Sequence, residues 1–271
     1  MASRNESKAM GALTQLESEG LGTGSAIWLK LDLLDPRAVK KAAEEFIGRE
    51  ERLDILVNNA AMMMGVQGSF EKTEDGISAM FSTNYIGPFV FTRTLLPLLT
   101  KTCQGGGSDV RIVNVTSASH MALPTVRFRD LNDFNRDFKE RIYPSFDRYA
   151  HSKLPGLLIS RELQNRLDAD NVPIIVVAVH PGTVNTFAHR MPFPKLSEWL
   201  LRTFASSPDE GSWTSLFAAA SPIVLAESGE YKGSYLMPVG KISKGSKQAQ
   251  SPELAKELWA STEIFLQDIK V

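Results

Sequence analysis

Three short, nearly continuous apolar runs, Leu53–Val57, Val110–Val115 and Ile174–Val179, constrain this chain more than any other feature. Each is strand-length and lacks the polar alternation of a half-exposed strand, so each reads as a strand buried on both faces. Helical segments separate them: Asn5–Glu19, Pro36–Arg49, a region over about Ile77–Thr102, Arg148–Leu167, Pro208–Ala220 and Glu253–Gln267. Pro36 stands near a helix start, where a missing N–H costs nothing. Ala26–Leu31 adds a strand ending at Asp32, and Tyr235–Pro238 a last one. Strands alternating with helices imply βαβ units and a parallel sheet covered on both faces. Gly20–Ser25 and Gly105–Gly107 read as loops, and His120–Pro144 and Thr183–Ser207 as irregular segments. With no internal repeat and no linker, residues 1–271 are expected to form a single domain.

Ligands of open parallel sheets bind outside the carboxyl ends of the strands. Those ends carry Asp32, Asn58–Ala61, Thr116–Ser117 and His180–Gly182, which folding would gather along one rim. Tyr149 and Lys153 are spaced i,i+4, so they share one helix face. That spacing alone suits an ordinary surface pair. It also suits a reactive one, because an ammonium beside a phenol favours the phenolate and lowers its pKa from the usual ~10. A tyrosine so tuned can exchange a proton with an alcohol or ketone near neutral pH.

Composition narrows the classes. Lys+Arg 30 against Asp+Glu 31 leaves a net charge of -1, which gives no field for nucleic acid or anionic lipid. The polar start MASRNESKAM has no apolar core of a secretory signal, and no apolar run approaches the ~20 residues of a membrane span. A lone cysteine, Cys103, excludes an internal disulfide framework, and a soluble cytoplasmic protein is expected. His120, His151, His180 and His189 lack ligand spacing, so no metal site is expected.

Asn58-Asn59-Ala60, Asn84, Thr116-Ser117, Tyr149-x-x-x-Lys153 and Pro181-Gly182 follow one another in this order, each in its structural context. As an ordered set they resemble the short-chain dehydrogenase/reductase family, over about Ser3 to Ser261. Ser152-Lys153-Leu154, Asp130-Leu131-Asn132 and Leu258-Trp259 with Ser261 are similar to its retinol-dehydrogenase-like branch, which includes the WW-domain oxidoreductases. The resemblance implies a Rossmann-like doubly wound parallel sheet and an oxidoreductase that interconverts a hydroxyl and a carbonyl on a hydrophobic small molecule. Tyr149 would be the general acid/base. Lys153 would hold the nicotinamide ribose, Ser117 the substrate oxygen (Ser119 being a weaker candidate), and Asn84 a water of the proton relay. Asn58 and Ala60 would pack on the cofactor, Asp32 and Leu33 would meet the adenine, and Pro181, Gly182 and Thr183 would flank the nicotinamide. Asn84 and Asp32 also suit plain capping roles. Arg4, after the family's second strand, suits the 2′-phosphate of NADP, with NAD the alternative, and equally suits a solvated helix start. Phe187, Met191, Phe193, Trp199 and Phe204 fall where the family closes over substrate, and fit either a pocket lining or core packing. A homodimer through the helices at about Thr83–Thr102 and Arg148–Leu167 is a further family expectation.

The family begins with a strand, a glycine-rich turn and a helix that hold the pyrophosphate. The match here starts at the end of the second strand, so a fold lacking those three pieces is expected. Gly20-Leu21-Gly22-Thr23-Gly24 does not replace the turn, because it precedes a strand rather than a helix. The family's strand order 3-2-1-4-5-6-7 puts the gap mid-sheet, so the strands at Ala26 and Leu53 are expected to lose partners. A start assigned too far downstream is the favoured explanation. A truncated isoform, or a remnant that rearranges or pairs with another chain, are the others. The competing functional reading is an inactive homologue acting through protein association.

Overall fold

The computed structural model describes residues 1–63, 68–105, 109–182 and 207–271. Its strands form two sheets. β1 (Ala2–Ser3) pairs in parallel with β2 (Leu29–Lys30). The second sheet runs β3 (Ile55–Asn58), β4 (Val110–Val115), β5 (Ile174–Val179), β6 (Tyr235–Met237) and β7 (Lys241–Ser243) in that order. β3 to β6 are parallel and β7 returns antiparallel, an edge strand absent from the sequence reading.

The expected gap is visible as the break between the sheets, but its effect is milder than expected at one strand. β2 keeps a partner in β1, although it is much shorter than Ala26–Leu31. β3 pairs with β4 alone, and Ile55 and Val57 on its other face are 41% and 40% exposed.

Strand residues alternate between two cores. Val110, Ile112, Ile174, Val176 and Ala178 face a layer of α2 (Pro36–Arg49), α4 (Gly87–Cys103), α6 (Pro144–Ala169) and α10 (Pro252–Asp268). Val113, Ile175, Val177 and Val179 face α7 (Pro208–Ala220), α8 (Pro222–Ala226) and α9 (Ser228–Tyr231). Burial on both sides explains why these runs carry so few polar residues. The buried guanidinium of Arg111 is one exception, the Asn114 amide another. The guanidinium pairs with Asp109 and donates to the carbonyls of Ala218 (3.0 Å) and Ser221 (2.9 Å), a cation at the carboxyl end of α7.

Remaining helices include α1 (Glu6–Glu19), capped by Asn5, and the short α3 (Ala79–Phe81) and α5 (Leu131–Phe134). α10 lies across α4 and α6. Tyr85 hydrogen-bonds Thr262, Phe89 meets Trp259 edge-on, and Arg93 pairs with Glu263. The chain's own last helix thus takes part of the face expected to meet a second copy. Among the described residues no helix is long and apolar enough to cross a membrane.

Candidate active site

The helical region expected over Ile77–Thr102 is not continuous α-helix. Between α3 and α4 the residues Ser82–Ile86 make a π-helical turn, and Asn84 stands on it. Such a turn inserts a residue into the helical ladder and re-aims its side chains. It is held from outside. The Ser82 hydroxyl donates to Leu34 O (2.9 Å), and Gly87 lies against Leu33 so closely that a Cβ there would stand 2.5 Å from Leu33 O.

The Asn84 amide makes three hydrogen bonds. Its Oδ1 accepts from Met62 N (2.6 Å), and its Nδ2 donates to Met62 O and to Ser152 Oγ (both 2.8 Å). The side chain clasps the segment after β3 and ties it to α6. Met62 did not stand out in the sequence, and Ser152 did so only as part of Ser152-Lys153-Leu154. Ser152 lies inside the Tyr149-Ala150-His151-Ser152-Lys153 run, and that adjacency was the available signal.

Asn58 ends β3 beside Asn114 of β4, its register partner. Asn58 Nδ2 donates to Asn114 Oδ1 (2.8 Å) and to Thr92 Oγ1 (3.0 Å), and Asn114 Nδ2 donates to Ser160 Oγ (2.8 Å). This chain of buried amides fastens the ends of β3 and β4 to α4 and α6. Asn114 was legible in principle, since two adjacent apolar strands each carry an asparagine at their last or last-but-one residue.

α6 begins four residues earlier than expected, at Pro144, and carries Tyr149 and Lys153 towards the rim. Lys153 is buried, its Nζ donates to Val115 O (2.8 Å), and it lies 6.0 Å from the Tyr149 ring centroid. Burial pushes the Lys153 ammonium down to about 8. Burial also raises the Tyr149 phenol above its ordinary value, while hydrogen bonding from the Ser117 side chain draws it back. This corrects the expectation that Lys153 lowers Tyr149. Desolvation outweighs a neighbour whose charge is itself disfavoured and directed at a backbone carbonyl.

Ser117 follows β4 and caps a short 3-10 turn, Ala118–Ala122, accepting from Ser119 N (3.2 Å). Ser119 Oγ is buried without a partner among the described residues. A small cavity lined by Asn58, Ala60, Asn84, Thr116, Lys153 and Gly156 lies beside the pair.

The remaining expected residues divide. Pro181 and Gly182 follow β5 at the same rim, half-buried, with Gly182 at φ 93. Asp32 closes a local turn, accepting from Leu34 N (3.1 Å), while Asp35 caps α2, and Leu33 packs on the core. Arg4 is exposed directly after β1. Thr183, His189 and the aromatics Phe187, Met191, Phe193, Trp199 and Phe204 lie outside the described residues.

Comparison with known proteins agrees with this architecture. The family model for short chain dehydrogenases matches residues 1–126. A short-chain dehydrogenase/reductase of Armillaria gallica is 40% identical over 98% of this chain and 84% of its own length. Human retinol dehydrogenase 14 is 34% identical over 90% of this chain and 68% of its own. Among solved structures, an uncharacterized protein from Mycobacterium paratuberculosis superposes with a TM-score of 0.68 at 25% identity, over 98% of this chain and 83% of that one. An NADPH-bound carbonyl reductase from chicken fatty liver, at 20% identity, TM-score 0.55 and coverage of 89% and 85%, shares the fold. On likeness of this extent and identity, the chain belongs to the short-chain dehydrogenase/reductase family of oxidoreductases.

Proposed function

We propose that the chain interconverts a hydroxyl and a carbonyl on a hydrophobic small molecule with NADP(H), using Tyr149 as general acid/base. The observation that carries this reading is the meeting of Tyr149, Ser117 and Lys153 at the carboxyl rim of the parallel strands. Tyr149 would give its proton to a carbonyl oxygen in reduction and take one from a hydroxyl in oxidation. Ser117 Oγ accepts from Ser119 N, which leaves its O–H to donate to the same oxygen. Asn84 would set the position of this half of α6 through Ser152 rather than carry a proton.

The residues fit the ribose end of a nicotinamide dinucleotide, whose nicotinamide supplies or accepts the hydride. Lys153 is buried and, among the described residues, has one acceptor for its three N–H groups, which leaves two for ribose hydroxyls beside the cavity. They do not fit the pyrophosphate. Among the described residues no glycine-rich turn joins a strand end to a helix start here: β1 passes into α1 through Arg4 and Asn5, and β2 into α2 through Asp32–Asp35. NADP is favoured over NAD by exposed Arg4 and by relatives of known structure that carry NADPH or NADP. An apolar substrate is supported by the name of the human retinol dehydrogenase relative. The single, buried cysteine suits the cytoplasm.

The test is NADPH oxidation against a panel of apolar ketones and aldehydes, with Tyr149→Phe alongside. Loss of a general acid/base costs about 10²–10⁴-fold, so that loss is expected of Tyr149→Phe. Unchanged turnover in the variant would sink the reading.

A further inference from the structure

His120 has no part in the mechanism above, yet it is fully buried beside it. Its Nδ1 lies 2.6 Å from the carbonyl oxygen of Ser117, and its Nε2 lies 3.2 Å from the backbone N of Ser246. A carbonyl can only accept and an amide N–H can only donate, so the two partners require the neutral tautomer with hydrogen on Nδ1. The ring is confined on its other sides as well. Tyr235 meets it edge-on at 5.4 Å, and Gly245, at φ +68, comes so close that a Cβ would stand 3.1 Å from Nε2. His120 therefore bridges the turn after β7 to the main chain of Ser117.

We propose that His120 is a positioning residue: by holding the Ser117 carbonyl it orients the Ser117 hydroxyl towards the Tyr149 phenol. This rests on the functional reading above for its significance. The geometric claim concerns this chain's own residues and is read without turnover. Ser117 is the second residue after β4, following Thr116, and its carbonyl is the last backbone acceptor before the 3-10 turn, so a tether there fixes the peptide plane from which the hydroxyl projects. Ser117 is also the hydrogen-bonding partner that draws the Tyr149 phenol down. Burial disfavours the charged form of His120, and the neighbouring His180 faces it with the same disfavoured charge, so the bridge stays neutral.

Asparagine places its amide where His Nδ1 stands, and glutamine where Nε2 stands. His120→Asn therefore keeps the link to Ser117 and loses Ser246, while His120→Gln does the reverse. The readout is the Tyr149 phenol titration in the ligand-free chain, followed by ring carbon-13 NMR and assigned through Tyr149→Phe. His120→Gln should raise the phenol pKa by about half a unit or more, as expected on weakening one hydrogen bond to the phenolate, and His120→Asn should leave it in place. Equal shifts in both variants, or none in His120→Gln, would overturn the proposal. A second measurement needs no variant fold: nitrogen-15 NMR of the labelled unmodified chain should show His120 protonated on Nδ1, and an Nε2-protonated ring would overturn it outright. An inactive chain would count against the oxidoreductase reading while leaving both of these results standing.

Discussion

Gly156 of α6 lies against Thr116 at the end of β4 with no room for another atom: a Cβ on Gly156 would stand 2.7 Å from Thr116 Cγ2. Thr116 cannot easily turn away, because its Oγ1 and its N both donate to Val179 O, at 3.1 and 2.7 Å. Alanine for glycine inside a helix ordinarily stabilises by about 0.5–1 kcal/mol, whereas overpacking costs about 1–3 kcal/mol. Gly156→Ala is therefore expected to lower stability by about 1–2 kcal/mol and to shift Lys153, one turn earlier, relative to Val115. Thr116→Ser removes the obstructing methyl, so the double variant should recover most of the loss in denaturant unfolding. Failure of that rescue would separate Gly156 from Thr116.

Lys153 opposes folding at neutral pH. Its pKa falls from 10.5 to about 8 in the folded chain, so the charged form is disfavoured there relative to the unfolded chain. The cost is full below pH 8 and disappears as pH rises to 10.5. Two to three units correspond to roughly 3 kcal/mol, against about 1 kcal/mol for the hydrogen bond to Val115. Lys153→Met should thus be more stable at pH 7 and inactive. Its advantage should shrink between pH 8 and 10.5 in thermal melts.

Acid should destabilise the fold before its carboxylates protonate. His151 sits among Phe81, Phe128 and Phe138 at centroid distances of 5.2, 5.0 and 5.5 Å, with Nε2 unpartnered among the described residues, and burial pushes it down to about 3. His180 is pushed down to about 4, also mainly by burial. A depressed pKa means that the unfolded chain takes up the proton first. Stability present above the unfolded value of ~6.5 is therefore lost as pH falls towards 4, with His151 contributing up to about 1.4 kcal/mol per pH unit. His151→Phe should flatten that slope by about one proton, measured as stability against pH. An unchanged slope would show that His151 is not the buried neutral group described.

Cofactor affinity should reflect the two-sided fit. Lys153 and the neighbouring cavity serve the ribose, the pyrophosphate has no cradle among the described residues, and exposed Arg4 offers a single ion pair. An exposed pair is worth about 0–1 kcal/mol. NADPH should thus bind this chain less than about tenfold more tightly than reduced nicotinamide mononucleotide, tenfold being 1.4 kcal/mol. Fluorescence titration of both ligands checks it, and a much larger ratio would reveal a phosphate site elsewhere in the chain.

The strands most legible in the sequence were those with two buried faces. Val110–Val115 and Ile174–Val179 appear with their expected bounds, because burial on two faces selects a run of mostly β-branched and apolar residues. β7 was not legible: Lys241 and Ile242 are exposed on an edge strand and carry no periodic signal. At the site, Tyr149, Lys153, Ser117, Asn58 and the asparagine on the π-helical turn were all readable as an ordered set. Their pairings with Ser152, Asn114 and Met62 were not, since each joins segments distant in the chain.

What the sequence by itself determined is the alternation of buried strands and helices, and the identity of the polar groups that end up on one rim. Local periodicity and residue chemistry suffice for that, because they depend on near neighbours. Tertiary structure alone decided the states of those groups. Desolvation raises Tyr149 and lowers Lys153, and Asn84 spends its amide on Met62 and Ser152. Burial and hydrogen-bond occupancy are properties of what packs around a residue, and no spacing along the chain encodes them.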